Sequence, residues 1–118
     1  MDTEQRVRLN FLEEAEDCFD RIESILLGLA DSIIEPQKLD LALRLAHSVK
    51  GGAAMMGFIS LSQIAHALED FLKILRVRYI SAQISHEVET LLLQSVDCLR
   101  QVSRSNKQGA EVNPEWLV

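Results

Sequence analysis

Residues 39–58 read LDLALRLAHSVKGGAAMMGF, and two signals in them conflict. LDLALRLA is strongly helix-forming, and AAMM further on is helix-forming again. Between them stand Gly51 and Gly52, each costing about 0.5–1 kcal/mol relative to alanine in a helix interior. Leu39, Ala42, Leu45, Ala46, Val49, Ala53 and Met56 nevertheless recur at three- and four-residue spacing along the whole stretch. That period carries one helix through both glycines. Pro36 suits its first turn, and it ends around Gly57.

Outward from this helix the same period predicts three more. The first runs from about Thr3 to Ala30, with Phe11, Ala15, Cys18, Phe19, Ile22, Ile25, Leu26 and Leu29 inward. Its other face is acidic (Glu13, Glu14, Glu16, Asp17, Asp20) and reads as solvated. ADSIIEPQ breaks the pattern before Pro36. Ser60 is a suitable N-cap for a third helix, with Leu61, Ile64, Ala65, Leu68, Phe71, Leu72 and Leu75 inward. A short link near Ser81 to Ser85 leads to a fourth, striped by Val88, Leu91, Leu92, Ser95, Leu99 and Val102. Four amphipathic helices with short connections predict an all-α, antiparallel up-down four-helix bundle. The bundle is expected over residues 1–106. Residues 107–118, with Gly109, Pro114 and no clear period, read as a C-terminal tail or linker, or as a short additional helix.

The 118 residues suit one domain, and 5% aromatics leave the core to Leu, Ile, Val, Ala and Met. A net charge of −6 with no basic block argues against nucleic acid, whose phosphates need clustered Lys and Arg. Cys18 and Cys98 lack metal-type spacing and read as small buried hydrophobes. MDTEQRVRLN is polar, and no run approaches the roughly 18 apolar residues of a membrane span. A cytoplasmic chain without membrane insertion is the expectation.

On the second helix Leu43, His47, Lys50, Gly51 and Ala54 share a face away from the apolar stripe. A lone histidine there is an ordinary surface group. Lys50, one turn on, brings an ammonium to the same space, and Gly51 and Gly52 remove side chains beside it. A nucleophilic imidazole, a cation and a bare helix surface suit a group that carries a phosphoryl and is approached by another protein. Leu43 and Ala54 would add an apolar docking patch around it.

The third helix carries AHALED, which places His66 and Glu69 three residues apart. In an antiparallel hairpin turning at Gly57 to Ser60, His47 lies about ten residues before the turn and Glu69 about nine after it. At roughly 1.5 Å per residue these heights match to within a turn. Glu69 can then accept a hydrogen bond from one imidazole nitrogen and leave the other free to attack. The alternative is a surface carboxylate paired with Lys73.

AHSVKGGAAMMGF resembles the phosphoacceptor motif of histidine-containing phosphotransfer domains, His-x-x-Lys-Gly. It is most similar to the N-terminal phosphotransfer domain of CheA-type chemotaxis kinases. FLEEAEDCFDRIESILLGL, HALEDFLKILR and ISHEVETLLLQSVDCLRQV resemble that domain's first, third and fourth helices, so the resemblance covers about residues 5 to 104. Met55 and Met56 stand where the family has other residues. The resemblance implies that His47 is phosphorylated, that Lys50 offsets charge on the phosphoryl group, and that Gly51 permits partner approach. It also implies that Glu69 and His66 belong to the hydrogen-bond network around His47.

The expected function is a phosphoryl carrier in two-component signalling, loaded on His47 and unloaded to the aspartate of a response-regulator receiver domain. The sequence has no GxxxxGK[ST], GxGxxG or kinase loop set. The chain is therefore expected to be a carrier rather than a self-sufficient kinase, and to bind no cofactor or metal. A histidine kinase catalytic domain would supply ATP and magnesium. A monomer is expected. Two other readings compete: a non-catalytic helical interaction module, and a metal-binding bundle. The second would need repeated Glu-x-x-His and inward carboxylates, whereas His66-x-x-Glu69 is reversed and single.

Overall fold

The computed structural model describes residues 2–33, 35–78 and 84–112, the last three through their backbone alone. They form α1 (Thr3–Leu26), a 3-10 turn (Leu29–Asp31), α2 (Pro36–Met56), α3 (Ile59–Arg78) and α4 (His86–Val112). Each helix packs on its neighbours in sequence, and α4 closes the ring onto α1. This is the all-α four-helix bundle that the periodicity predicts. Leu12, Phe19 and Ile22 of α1, Leu39 and Val49 of α2, Leu61 and Leu72 of α3, and Val96 and Leu99 of α4 are fully buried along its axis.

Several boundaries differ from the sequence expectation. α1 stops at Leu26, short of Ala30, where Leu27 turns extended and Gly28 follows in a left-handed conformation at φ 85°. Leu29 and Ala30 remain buried, but from a 3-10 turn. Ser60 is not an N-cap: α3 already starts at Ile59, and Ser60 lies inside its first turn. The α2–α3 reversal is instead a Schellman closure. Phe58 N–H donates to Ala53 O at 2.8 Å and Gly57 N–H to Ala54 O at 3.2 Å, with Gly57 at φ 83°. Ser85 caps α4, its hydroxyl accepting from Val88 N–H at 3.1 Å. Residues 81–83 of the expected link lie outside the described residues. α4 runs without interruption through position 106 to Val112.

Phe71 and Leu91, expected inward, are exposed, while Leu9, Leu12 and Val96 take up core positions that the stripes omitted. Cys18 packs half-buried against the core, but Cys98 is exposed and does not act as a buried hydrophobe. No helix among the described residues is long and apolar enough to cross a membrane.

Polar ties fix the helices axially. The Arg100 guanidinium of α4 donates to Glu23 and Asp20 of α1, each at 2.8 Å. Arg76 of α3 donates to Asp40 of α2 at 2.7 Å. Ala30 N–H donates to Glu89 of α4 at 2.9 Å, holding the 3-10 turn against that helix.

Candidate functional site

The register between α2 and α3 determines what meets His47. Gly57 sets the reversal, and one turn into α3 the Ser62 hydroxyl donates to Lys50 O at 2.9 Å. This brace brings Glu69 opposite His47 and Lys50. The Glu69 carboxylate is the hub: Oε2 lies 2.6 Å from His47 Nδ1, and Oε1 lies 2.6 Å from Lys50 Nζ. Its side chain is only 4% exposed, whereas the His47 side chain is 67% exposed. The alternative of a surface pair with Lys73 is therefore not what the helices build, and one carboxylate does turn inward.

Burial alone would raise the Glu69 pKa. The hydrogen bonds from Lys50 and His47, with the charges of Lys50 and Lys73, outweigh it and hold the carboxyl below the ordinary glutamate value. An ionised carboxylate only accepts. The hydrogen of the His47–Glu69 bond therefore sits on Nδ1, so that in the neutral form of the ring the lone pair is on the exposed Nε2. A neutral, oriented imidazole with one free nitrogen is a nucleophile.

The remaining sequence candidates divide. Gly51 and Ala54 are exposed beside His47, and nothing lies within 4 Å of the place a Gly51 side chain would start. Leu43 is half-buried against the core but also lines the cleft at His47. Gly52 does not join them. It turns toward α1, where an added Cβ would collide with the Phe11 ring. That ring stacks on Phe58 with centroids 6.2 Å apart. Gly52 thus admits an aromatic side chain of α1 rather than a partner, a role that a motif on one helix does not disclose.

His66 sits on the outer face of α3, with Nε2 3.4 Å from Asp70 and no direct bond to His47. His66, Glu69 and Asp70 each place a potential metal-ligand atom within 4.8 Å of the others. Both Glu69 oxygens already accept from His47 and Lys50, so a cation at the trio would have to share that carboxylate with two donors. His86 lies on the surface at the start of α4, 3.0 Å from Asp31.

Three further side chains line the cleft at His47: Arg44, Ser48 and Lys73. The sequence signal for two of them was spacing alone, since Arg44 precedes His47 by three residues and Lys73 follows Glu69 by four. Ser62 was also missed, as a serine in a first helical turn has no distinguishing mark.

The family model of the Hpt domain matches residues 6–108. The chemotaxis protein CheA of Treponema pallidum is 32% identical over 100 residues, covering 85% of this chain and 12% of the relative. CheA of Rhizobium meliloti is 30% identical over 103 residues, covering 87% of this chain and 13% of the relative. The gliding motility regulatory protein of Myxococcus xanthus is 30% identical over 118 residues, covering 97% and 14%. The chain thus spans a small part of the length of these relatives. No solved structure matches it. With this match over most of its length, and an oriented histidine at the motif, the chain belongs to the Hpt domain family and is a phosphoryl carrier of two-component signalling.

Proposed function

We propose that His47 is the phosphoacceptor, loaded from ATP by a CheA-type histidine kinase catalytic domain and unloaded to the aspartate of a response-regulator receiver. The observation that carries this reading is the 2.6 Å contact between His47 Nδ1 and buried Glu69. In the loading step the Nε2 lone pair forms a bond to the γ-phosphorus as the bond to the ADP oxygen breaks. The Nδ1 proton stays in place, and the positive charge that the ring gains lies against the Glu69 carboxylate. Phosphoryl transfer depends on positioning and charge compensation, so partner domains bring ATP and magnesium. The chain then acts as substrate and carrier, not as a kinase by itself, in the cytoplasm and as a monomer.

Lys50 keeps Glu69 ionised and adds positive charge at the rim of the site. His66, through its contact with Asp70, supports the outer face of α3 beside Glu69. Gly51, Ala54 and Leu43 form the approach surface.

The test is incubation of the purified domain with a CheA-type kinase domain and labelled ATP. Acid-labile, base-stable label is expected in wild type and not in His47→Gln. Label that persists in the variant refutes the assignment.

A further inference from the structure

We infer that the phosphoryl group on His47 is held between Arg44 of α2 and Lys73 of α3, a two-sided cation clamp, while Lys50 is a positioning residue. The inference rests on the phosphoacceptor reading above.

The charges around His47 are unequally partnered. Lys50 Nζ is 2.6 Å from Glu69 Oε1, its side chain is three-quarters buried, and its charge is matched by that carboxylate. On the outer face of α3, Asp70 is matched with His66. Arg44 and Lys73 line the cleft at His47 from opposite helices. Among the described residues, neither has a hydrogen-bond or ion-pair partner. Other basic side chains, such as Arg21 and Arg78, share that state, and what sets Arg44 and Lys73 apart is that they also line the cleft with His47.

Their placement follows from helix geometry. Arg44 is three residues from His47, and Lys73 four from Glu69, so each stands one turn along from one end of the His47–Glu69 bond. Because Nδ1 is occupied by Glu69, the phosphoryl must be on Nε2, on the exposed side of the ring, where both long side chains can reach it. A phosphoryl brings about −1.5 to −2 charges near neutral pH. Two cations without a direct ion-pair partner balance that charge, whereas Lys50 alone cannot do so without abandoning Glu69. Arg44 can also offer its guanidinium to two phosphoryl oxygens at once.

The test uses phosphoramidate as a phosphodonor, so that no partner docking enters. Nε2 attacks phosphorus, the P–N bond of phosphoramidate breaks, ammonia leaves, and the Nδ1 proton remains. Proton–phosphorus correlated NMR assigns the product to His47, and the phosphorus shift is then followed against pH. Lys73→Gln and Arg44→Gln should each move the titration midpoint of the phosphoryl upward, by about half a pH unit for a cation some 6 Å away in water. Lys73→Arg should restore the wild-type midpoint. Arg78→Gln, at the end of α3, should leave it in place and controls for net charge. Both sites are on the bundle surface, and circular dichroism checks that the variants stay folded. Midpoints unmoved in both glutamine variants, with His47 phosphorylated, overturn the clamp and leave the carrier reading standing. No phosphoryl on His47 in wild type sinks both.

Discussion

Replacing Gly52 and Gly51 by alanine, one at a time, should change stability in opposite directions. Both substitutions gain helix propensity, by up to about 1 kcal/mol. At Gly51 nothing lies within 4 Å of the new Cβ, so the gain is realised. At Gly52 the Cβ would lie 3.0 Å from Phe11 Cδ1 and 3.1 Å from Cζ, with Cε1 nearer still. The Phe11 ring cannot simply retreat, because it stacks on Phe58, which is only 2% exposed. Overpacking of this kind costs about 1–3 kcal/mol, leaving a net loss of up to about 2 kcal/mol after the propensity gain. For a domain of this size each kcal/mol is worth about 4 °C. Thermal melts by circular dichroism should therefore show Gly52→Ala lower by up to about 8 °C and Gly51→Ala higher by about 2–4 °C. Trimming the ring with Phe11→Leu should recover part of the Gly52→Ala loss, with a coupling of at least about 0.5 kcal/mol in urea denaturation. Equal melting points for the two alanine variants, or strict additivity with Phe11→Leu, would refute the packing account of Gly52.

Three further outcomes are expected. Arg100→Met should destabilise the bundle by about 1–2 kcal/mol, because its largely buried guanidinium joins α4 to Glu23 and Asp20, two partly exposed carboxylates. The Glu23 carboxyl, held low chiefly by its hydrogen bond from Arg100, should titrate closer to its ordinary value in that variant; an unmoved Glu23 titration counts against the tie. Glu69 has a depressed folded pKa, so its stabilising contribution is complete above the unfolded value of about 4.3 and is lost as pH falls through the folded value. Urea midpoints measured from pH 6 to pH 3 should accordingly fall less in Glu69→Gln than in wild type, and parallel curves contradict this. The same variant should also release the His47 tautomer, seen as a change in imidazole nitrogen shifts, whereas a proton still fixed on Nδ1 means that another group orients the ring.

The bundle was legible because apolar spacing sets which faces are buried, and helices with short connections have few ways to cover them. Helix ends were less so. Gly28 and Gly51 look alike in sequence, yet one sits with a positive φ in the turn that follows α1 and the other stays inside α2. The neighbours that decide between them are remote in the chain. Within α4, Leu91 and Val96 exchanged their expected environments, because a stripe of alternating three- and four-residue steps does not fix which edge faces the α3–α4 cleft. At the site, counting residues from the turn was enough to pair His47 with Glu69. It could not show that Lys50 binds the same carboxylate, since a lysine side chain reaches in several directions. Nor could it show that Gly52 faces Phe11, because that contact exists only once α1 has packed on α2.

The double use of Glu69 constrains how this domain can diverge. A descendant that loses Lys50 leaves a buried carboxylate with a single donor, and one that loses Glu69 strands a three-quarters-buried ammonium. Positions 50 and 69 are therefore expected to be inherited as a pair, changing together toward a neutral combination or not at all. Position 52 is expected to drift in step with position 11 by the separate criterion of volume. A collection of functional variants selected from a random library would reveal these as two independent pairs of correlated substitutions, one of charge and one of size, inside what looks in sequence like a single motif.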